Sequence, residues 1–245
     1  MTLPEDWITP DWPASARVRA LITTRSGGVS KASYASFNIG ELTADDPVAV
    51  VENKRRLAIL APAPIRWLRQ VHGPRVVRAD DVVGLVEADA SFTHSRGVVC
   101  AVKIADCMPV LLADRSGTCV GIAHAGWRGL SSGVVENTVA ALGVAPDTLM
   151  AYLGPAIGPE AFEVGDEVRQ AFCDVDPAAT SAFESHRPGK WMADLFTLGR
   201  QRLARCGVRD VYGGGLCTYS TPQRFYSHRY DPATGRMAAL IWLDL

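Results

Sequence analysis

Three short apolar segments that follow one another along the chain constrain its fold more than any other feature. The segment GVVCAVKI (97–104) is apolar almost throughout, which predicts a strand buried on both faces. The segments PVLLA (109–113) and TCVGIAHA (118–125) predict the two strands of a β-hairpin, with its turn at 114–117. Because none of them approaches the roughly 20 apolar residues of a membrane-spanning helix, they indicate the centre of a buried sheet.

Predicted helices and strands alternate irregularly along the rest of the chain. Apolar periodicity and capping residues predict helices over 45–60, 131–142, 165–173 and 192–207, with N-caps at Asp46, Asp166 and Asp194. Further strands are predicted over 18–25, 65–73, 148–158, 208–215, 217–220 and 238–245. This order favours an α+β fold, with mixed β-sheets flanked by helices, over a regular βαβ arrangement.

Composition indicates one ordinary globular domain. No segment resembles a linker, so residues 1–245 are expected to form a single domain, with a surface arm over 1–16. The net charge of −1, from 25 basic and 26 acidic residues, argues against a nucleic-acid partner. The lack of a secretory leader or long apolar run predicts a cytoplasmic protein without a membrane partner, whose six cysteines are mostly buried free thiols.

Two histidines and one cysteine are the strongest candidates for chemistry. GxGxxG, GxxxxGK[ST], HExxH and GxSxG are all absent, which removes the common nucleotide, zinc-protease and serine-hydrolase interpretations. His72 and His124 each end a predicted strand next to a glycine-containing turn, and Cys107 lies at another strand junction. Hairpin pairing would return Cys107 and His124, 17 residues apart, to one sheet edge that His72 can join. These are ligand types of a catalytic zinc with one open position for water.

The same three residues permit other chemistry. Cys107 with His124 or His72 could form a thiolate–imidazolium pair that attacks an acyl carbon. Two histidines and a cysteine are also the ligands of a blue-copper site. A multicopper oxidase needs a further cluster built mostly from histidines, and a chain with 5 histidines cannot supply it. Spacing leaves the zinc, nucleophile and single-copper interpretations open.

Asp106 and three arginines are further candidates. Asp106 precedes Cys107 and could reach the same site if the chain bends there, or could accept hydrogen bonds from turn amides. Arg128, beside Gly129 and Leu130 at a predicted helix start, would suit an anion. Arg25 and Arg229 could bind phosphate or carboxylate, or form surface salt bridges.

A series of motifs gives the chain a resemblance to the YfiH family, also called laccase-domain proteins, polyphenol oxidases, purine nucleoside phosphorylases or peptidoglycan editing factors. The motifs, in order, are TTRSGGVS, FNIG, DDPVAVVENKRRLA, QVHG, EADASFT, ADCMPVLLAD, AHAGWRGL, LGPAIG, FEVGDEV, CT and FYSHRYDPATGR. The resemblance extends from about Arg25 to Arg236, and ADCMPV together with HAGWRG is highly specific. The chain departs from it at Lys54, where the family more often has arginine.

The resemblance implies a site and an activity. It implies a single α+β domain of cysteine-hydrolase-like fold that binds zinc through His72, Cys107 and His124, with copper as the alternative metal. The implied activities are phosphorolysis of adenosine, inosine, guanosine or methylthioadenosine, and deamination of adenosine by a metal-activated water. In the mechanism we expect, Asp106 protonates the leaving ammonia, and phosphate binds near Arg25, Arg128 or Arg229.

Three other functions stay open beside that expectation: a hydrolase editing a peptidoglycan precursor, a copper polyphenol oxidase, and a binding protein with a structural metal. The expected partners are a small nucleoside and phosphate. The expected assembly state is a monomer or weak homodimer.

Overall fold

The computed structural model describes residues 4–245. Within them the chain forms fifteen strands and five α-helices. The strands are β1 (Val18–Ile22), β2 (Ile65–Arg66), β3 (Leu68–Arg69), β4 (Val76–Arg78), β5 (Val86–Glu87), β6 (Ala90–Thr93), β7 (Val99–Ile104), β8 (Met108–Asp114), β9 (Val120–Ala125), β10 (Leu149–Leu153), β11 (Glu163–Gly165), β12 (Phe183–Arg187), β13 (Lys190–Ala193), β14 (Asp210–Gly213) and β15 (Met237–Leu243). The helices are α1 (Pro47–Ala58), α2 (Trp127–Ser131), α3 (Val134–Ala141), α4 (Asp166–Cys173) and α5 (Leu195–Arg205).

The strands form four sheets. The largest has the order β14-β10-β8-β9-β6-β4, and the next has the order β1-β15-β7-β2. Smaller sheets have the orders β11-β13-β12 and β3-β5. Both large sheets are mixed. In the six-stranded sheet β14 runs parallel to β10 and β4 parallel to β6, in the four-stranded sheet β2 runs parallel to β7, and the remaining pairs are antiparallel. The predicted α+β class with mixed sheets is therefore confirmed.

The predicted hairpin is β8 and β9, and it lies at the centre of the core. Alternate side chains of β8 point into opposite core clusters. Val110 and Leu112 pack with the helical layer, whereas Leu111 and Ala113 pack toward the four-stranded sheet. Every residue of both strands is buried. This two-sided burial explains why the hairpin is apolar at consecutive positions instead of alternating.

Two of the three predicted N-caps are confirmed. The carboxylate of Asp46 accepts a hydrogen bond from the amide of Val48 at the start of α1. Asp194 caps α5 in the same way. The prediction for Asp166 is wrong by one residue, because Gly165 is the N-cap of α4 and Asp166 is its first residue.

The predicted helix over 131–142 corresponds to α3, which begins only at Val134. A short helix, α2, already begins at Trp127, and Gly133 separates it from α3 in a left-handed conformation with φ of 95°. Gly129 and Leu130, expected to lead into the helix start, therefore lie inside α2, where both are buried. Glycine allows this sharp turn between the helices because it has no Cβ.

Several predicted strands are shorter or absent. The strand over 65–73 divides into β2, β3 and a loop, and the predicted strand over 217–220 is a turn in which Cys217 makes a single bridge to Ala156. Strands predicted over 18–25, 148–158 and 208–215 end earlier, at Ile22, Leu153 and Gly213. The short strands β4, β5, β6, β11, β12 and β13 had no prediction, because strands of two to five residues carry too few positions for a periodic pattern.

The segment predicted as a surface arm is partly built into the domain. Over its described part, Trp7 and Ile8 are each only 8% exposed. Ile8 exchanges backbone hydrogen bonds with Ile22, and the ring of Trp7 packs against Phe37 with a centroid distance of 4.7 Å. Residues 1–3 of the predicted arm lie outside the described residues.

All six cysteines are free thiols. Cys100 and Cys119 are buried, and the other four are half-buried. Within the described residues, no helix combines the length and the apolar character that crossing a bilayer requires.

Removing the cap of α5 is expected to destabilise the protein. The carboxylate of Asp194 accepts hydrogen bonds from the amides of Phe196 at 2.9 Å and Thr197 at 3.1 Å. Asp194→Ala should therefore lower the free energy of unfolding by about 1 kcal/mol, as N-cap losses do. Urea denaturation measures this. Asp147→Ala, at an exposed aspartate without a side-chain hydrogen bond in the described chain, is the control. Equal stability of the two variants would contradict the capping role.

Candidate metal centre

Three side chains from separate parts of the chain meet at one end of the hairpin. Met108 pairs with Ala125 and Pro109 with His124, so Cys107, one residue before β8, lies next to the far end of β9. His72 reaches the same place from the loop that follows β3. The ligand atoms of His72, Cys107 and His124 all lie within 4.8 Å of one another. The two imidazole rings meet edge to face, with 4.9 Å between their centroids.

The backbone at His72 is held in an unusual conformation by Asp89. His72 has φ of 60°, which is uncommon for a residue with a side chain. The amides of Val71, His72 and Gly73 all donate to the Asp89 carboxylate, at 3.0, 2.9 and 2.9 Å. Three hydrogen bonds to one buried carboxylate offset the backbone strain and place the imidazole of His72.

Asp89 also orients the second histidine. Its Oδ1 lies 2.8 Å from Nδ1 of His124, and its carbonyl accepts from the backbone amide of His124 at 2.7 Å. With Nδ1 held by the carboxylate, Nε2 of His124 is left for a metal ion or for Cys107. Burial disfavours the charge on Asp89, but the hydrogen bond from His124 and those from Gly73 and Val71 lower its pKa overall.

Asp89 is not among the residues that the sequence predicts for the site. It belongs to EADASFT, a motif that carried the family resemblance without an assigned role. The available sequence signal was a carboxylate between two alanines, Ala88 and Ala90. The structure buries all three residues completely.

The charges around Cys107 favour its thiolate. Burial opposes ionisation of the thiol, but the charge and hydrogen bond of His124, followed by those of His72, lower the pKa of Cys107 overall. Burial likewise opposes the charge on His124, while Cys107 and Asp89 raise the pKa of this histidine. Thiolate and imidazole are the forms that bind metal, and a thiolate is also the reactive form of a nucleophile.

Gly126 is required by the close approach of the ligands. A Cβ at this position would lie 2.6 Å from Sγ of Cys107 and 3.4 Å from Cδ2 of His72. A side chain would therefore displace the thiol. The same residue is the N-cap of α2, so the helix starts immediately beside the site.

Asp106 supports the turn before Cys107. The chain bends there as expected, because Asp106 has φ of 86°. Its two carboxylate oxygens accept hydrogen bonds from the hydroxyl of Thr218 at 2.6 Å and from the backbone amide of Arg229 at 2.7 Å. Asp106 thus joins the turn to two later segments through one hydroxyl and one backbone amide.

Arg25 is committed to the protein's own backbone. Its guanidinium donates to the carbonyl oxygens of Ala35 at 2.7 Å and Ser33 at 3.3 Å, and also to that of Pro222. The guanidinium carbon lies 4.8 Å from the ring centroid of Tyr226. These contacts hold a loop and leave Arg25 poorly suited to recruit phosphate.

The other two predicted anion-binding arginines are exposed. Arg128 lies over the ring of Trp127, 4.4 Å from its centroid, and its guanidinium makes no hydrogen bond within the described chain. Arg229 donates to the carbonyl oxygens of Glu163 at 3.0 Å and Ala161 at 3.4 Å. Of the predicted residues, the structure brings together His72, Cys107 and His124, with Asp106 adjacent in the chain.

A second charged cluster surrounds Trp67. Glu41 pairs with Lys54 and, at 2.9 Å, with Lys103, and both ammonium groups lie within 6 Å of the Trp67 ring centroid. Lys54, the position at which the chain departs from the family pattern, thus forms an ion pair with Glu41. Lys103 also exchanges backbone hydrogen bonds with the Gln70 side chain, so the cluster adjoins the segment that carries His72.

Removing the Glu41 carboxylate is expected to lower stability in a pH-dependent way. Burial opposes its ionisation, but the hydrogen bonds of Lys54 and Lys103 lower the pKa of Glu41 from 4.5 to about 2. Its stabilising effect is therefore complete above pH 4.5 and lost as the pH falls toward 2. Since the Glu41 side chain is 39% exposed, solvent screening limits the effect to about 1 kcal/mol or less.

Urea denaturation of wild type and Glu41→Gln at pH 6 and pH 3 tests this. The stability difference should be larger at pH 6. Glu184→Gln is the control, because Glu184 is exposed and has no ion pair in the described residues. If Glu41→Gln lowers the free energy of unfolding equally at pH 6 and pH 3, the stabilising role of the ionised Glu41 carboxylate is contradicted.

The donor set of the site suits one metal ion. Two imidazoles and a thiolate are a zinc or copper ligand set, and three protein ligands leave a position open. His72 is exposed and His124 buried, so the site opens to solvent on the His72 side. Within residues 4–245 this is the single group of three or more such ligands, which leaves no second cluster for a multicopper centre.

The chain is similar in sequence to bacterial proteins named as enzymes. It is 56% identical to a purine nucleoside phosphorylase of Pseudomonas aeruginosa, over 97% of this chain and 98% of that protein. It is 48% identical to the purine nucleoside phosphorylase YfiH of Escherichia coli, over 96% of this chain and 98% of that protein.

Solved structures and a family model agree with these sequence relatives. A Neisseria meningitidis protein of the DUF152 family has a TM-score of 0.96 and 50% identity, covering 98% of this chain and 100% of its own. YlmD of Geobacillus stearothermophilus has a TM-score of 0.90 and 33% identity, covering 100% and 98%. The family model described as "Multi-copper polyphenol oxidoreductase laccase" matches residues 19–244. With the motifs, the fold and these relatives in agreement, the chain belongs to the YfiH family that this model describes.

Proposed function

We propose that the protein is a zinc-dependent purine nucleoside enzyme that carries out phosphorolysis of purine nucleosides and deamination of adenosine. One observation carries the proposal: His72, Cys107 and His124 converge within 4.8 Å at a solvent-accessible position, with Asp89 holding both histidines. The relatives named purine nucleoside phosphorylase indicate the substrate class. Adenosine, inosine, guanosine and methylthioadenosine are the proposed substrates.

His72, Cys107 and His124 would hold the zinc ion. When bound, zinc supplies Lewis acidity and lowers the pKa of a coordinated water toward about 7. Asp89 fixes the tautomer and direction of His124 and the backbone of His72. Asp106 positions the Cys107 turn. Both carboxylate oxygens of Asp106 are engaged by Thr218 and the Arg229 amide, so we replace the expected role of Asp106 as general acid with a positioning role.

Both proposed reactions balance without a redox partner. In phosphorolysis a phosphate oxygen bonds to C1′ while the C1′–N9 bond breaks. The bond electrons go to the purine, which takes up a proton, and the products are the free base and ribose 1-phosphate. In deamination water adds at C6 of adenosine, the C6–N bond breaks, and the amino group leaves as ammonia, giving inosine.

Product analysis of the zinc-loaded protein tests the proposal. Incubation with inosine and phosphate should yield hypoxanthine, and incubation with adenosine should yield inosine, both separable by chromatography. Omitting phosphate should abolish hypoxanthine formation but spare deamination. The absence of both products from zinc-loaded protein would overturn the proposed function.

A cysteine hydrolase, for example one that edits a peptidoglycan precursor, is the second candidate. Asp89, His124 and Cys107 form a carboxylate–imidazole–thiol series that could activate the thiolate as a nucleophile. A chelator should leave such an enzyme active, whereas alkylation of the thiol should inactivate it. The zinc enzyme should lose activity with the chelator.

Two further expectations can be tested on the same preparation. Metal analysis after expression would distinguish zinc from copper, and copper with phenol-oxidising activity would support a polyphenol oxidase. We also propose that the protein works in the cytoplasm as a monomer or weak homodimer on small nucleosides and phosphate. Sedimentation analysis over a range of protein concentrations tests the assembly state.

A further inference from the structure

A fourth arginine, Arg236, lies beside the metal centre, and the sequence did not predict this position. Met237, the first residue of β15, pairs with Ile104, the last residue of β7. Continuing this antiparallel register by one step places Arg236 opposite Ala105, at the start of the turn that carries Asp106 and Cys107. The fold therefore brings an arginine to the edge of the site.

The backbone and stem of Arg236 are firmly held. Its amide donates to Oδ1 of Asn38 at 2.8 Å, and Asn38 is completely buried. A Cβ placed on Gly40 would lie 2.8 Å from Cγ of Arg236, so the aliphatic stem packs directly on this glycine. The direction of the side chain is thus set before any ligand arrives, which lowers the entropic cost of binding one.

The guanidinium has hydrogen-bonding capacity left over. Nη1 donates to the carbonyl oxygens of Thr234 at 3.0 Å and Gly235 at 2.9 Å. Nε and Nη2 have no hydrogen-bond partner within residues 4–245, and neither atom is completely buried there. Arg236 also forms no ion pair in that part of the chain. Two adjacent donors therefore face accessible space.

The surroundings of Arg236 favour an anion. Its half-burial lowers the pKa of the guanidinium, and the charges of Cys107, Asp106 and Tyr34 partly offset this. A guanidinium stays charged in a protein, so a cation without a carboxylate partner is stabilised when an anion binds. Nε and one Nη form a planar fork that matches two oxygens of a phosphate.

We propose that Arg236 binds the phosphate that reacts with the nucleoside at the adjacent metal centre. This inference rests on the proposed function. Arg236 is better placed than the three arginines expected from the sequence. All three guanidinium nitrogens of Arg25 donate to backbone carbonyls, and Arg128 and Arg229 are exposed, whereas Arg236 is half-buried with Nε and Nη2 unpartnered in the described chain. Its fork would hold two phosphate oxygens and leave a third free to bond to C1′.

Titration of inorganic phosphate into zinc-loaded protein tests the proposal independently of turnover. Arg236→Gln should weaken phosphate binding by about 10- to 100-fold, the usual loss for a charge-assisted hydrogen bond. Arg236→Lys, which keeps the charge but loses the fork, should fall between. Arg19→Gln is the matched control, since Arg19 is an exposed residue of the edge strand β1 and pairs with Asp244. Wild-type affinity in Arg236→Gln, or no phosphate binding by wild type, would overturn the proposal.

Kinetics separate this role from a purely structural one. Arg236→Gln should raise the KM for phosphate in inosine phosphorolysis while leaving adenosine deamination and zinc content close to wild type. An equal loss of both reactions would overturn the phosphate role. Phosphate binding that depends on Arg236, in a protein that cleaves no nucleoside, would support the site and count against the proposed function only. Tighter binding of inosine 5′-monophosphate than of inorganic phosphate would overturn the assignment to free phosphate.

Discussion

Asp89→Asn is expected to weaken zinc binding by about 10- to 100-fold, the range found when the partner of a metal-bound histidine is lost. The wild-type carboxylate accepts hydrogen bonds from both sides, from Nδ1 of His124 and from three amides of the 71–73 segment. An asparagine amide has one acceptor oxygen, so its NH₂ group must face at least one donor. Both histidines then lose their fixed direction together. Competition with a chromogenic chelator measures the affinity.

Asp114→Asn is the matched control for that substitution. Asp114 is also buried, at 4% exposure, and accepts hydrogen bonds from the amides of Thr118 and Cys119 at the hairpin turn, away from the ligands. Both variants should lose about 1–3 kcal/mol of unfolding free energy, because each leaves a buried donor poorly matched. Only Asp89→Asn should also lose zinc affinity. If Asp89→Asn is destabilised but binds zinc like wild type, Asp89 serves the fold alone.

The central hairpin shows how much of this fold the sequence predicts. Apolar runs on both sides of a polar turn determine that two strands pair, and the pairing returns Cys107 to the neighbourhood of His124. Helices with aspartate caps, such as those after Asp46 and Asp194, are predicted equally well because the cap is a local interaction. Local chemistry and continuous burial are the two signals that a single sequence carries strongly.

The support around the ligands could not be predicted in the same way. Asp89 lies 17 residues from His72 and 35 residues from His124, and no local pattern relates these positions. Arg236 reaches the site only through the pairing of β15 with β7, across more than half the chain. Conversely, the sequence predicts Arg25 as an anion-binding residue because nothing in it reveals that the guanidinium donates to the carbonyls of Ala35 and Pro222. Such contacts depend on tertiary structure.

Cys107→Ala is expected to remove zinc binding more completely than any substitution of a supporting residue. Since loss of a histidine's partner costs about 10- to 100-fold in affinity, loss of a ligand itself should cost more than about 100-fold. The remaining pair, His72 and His124, offers two neutral nitrogen donors and no negative charge to the ion. Zinc content after dialysis and affinity by chelator competition both measure the change. Cys173→Ala is the control, because Cys173 is half-buried on α4, outside the ligand group.

Metal dependence of the wild-type activity distinguishes the zinc enzyme from the cysteine nucleophile, whereas Cys107→Ser does not. A serine hydroxyl is a weak ligand because it stays protonated near neutral pH, so both mechanisms expect the variant to be inactive. The discriminating measurement is therefore on wild type. Chelation should abolish nucleoside turnover, and added zinc should restore it in wild type but not in Cys107→Ala or Cys107→Ser. Full activity of metal-free wild type, lost only on alkylation of Cys107, would instead make the thiolate held by His124 the catalytic group.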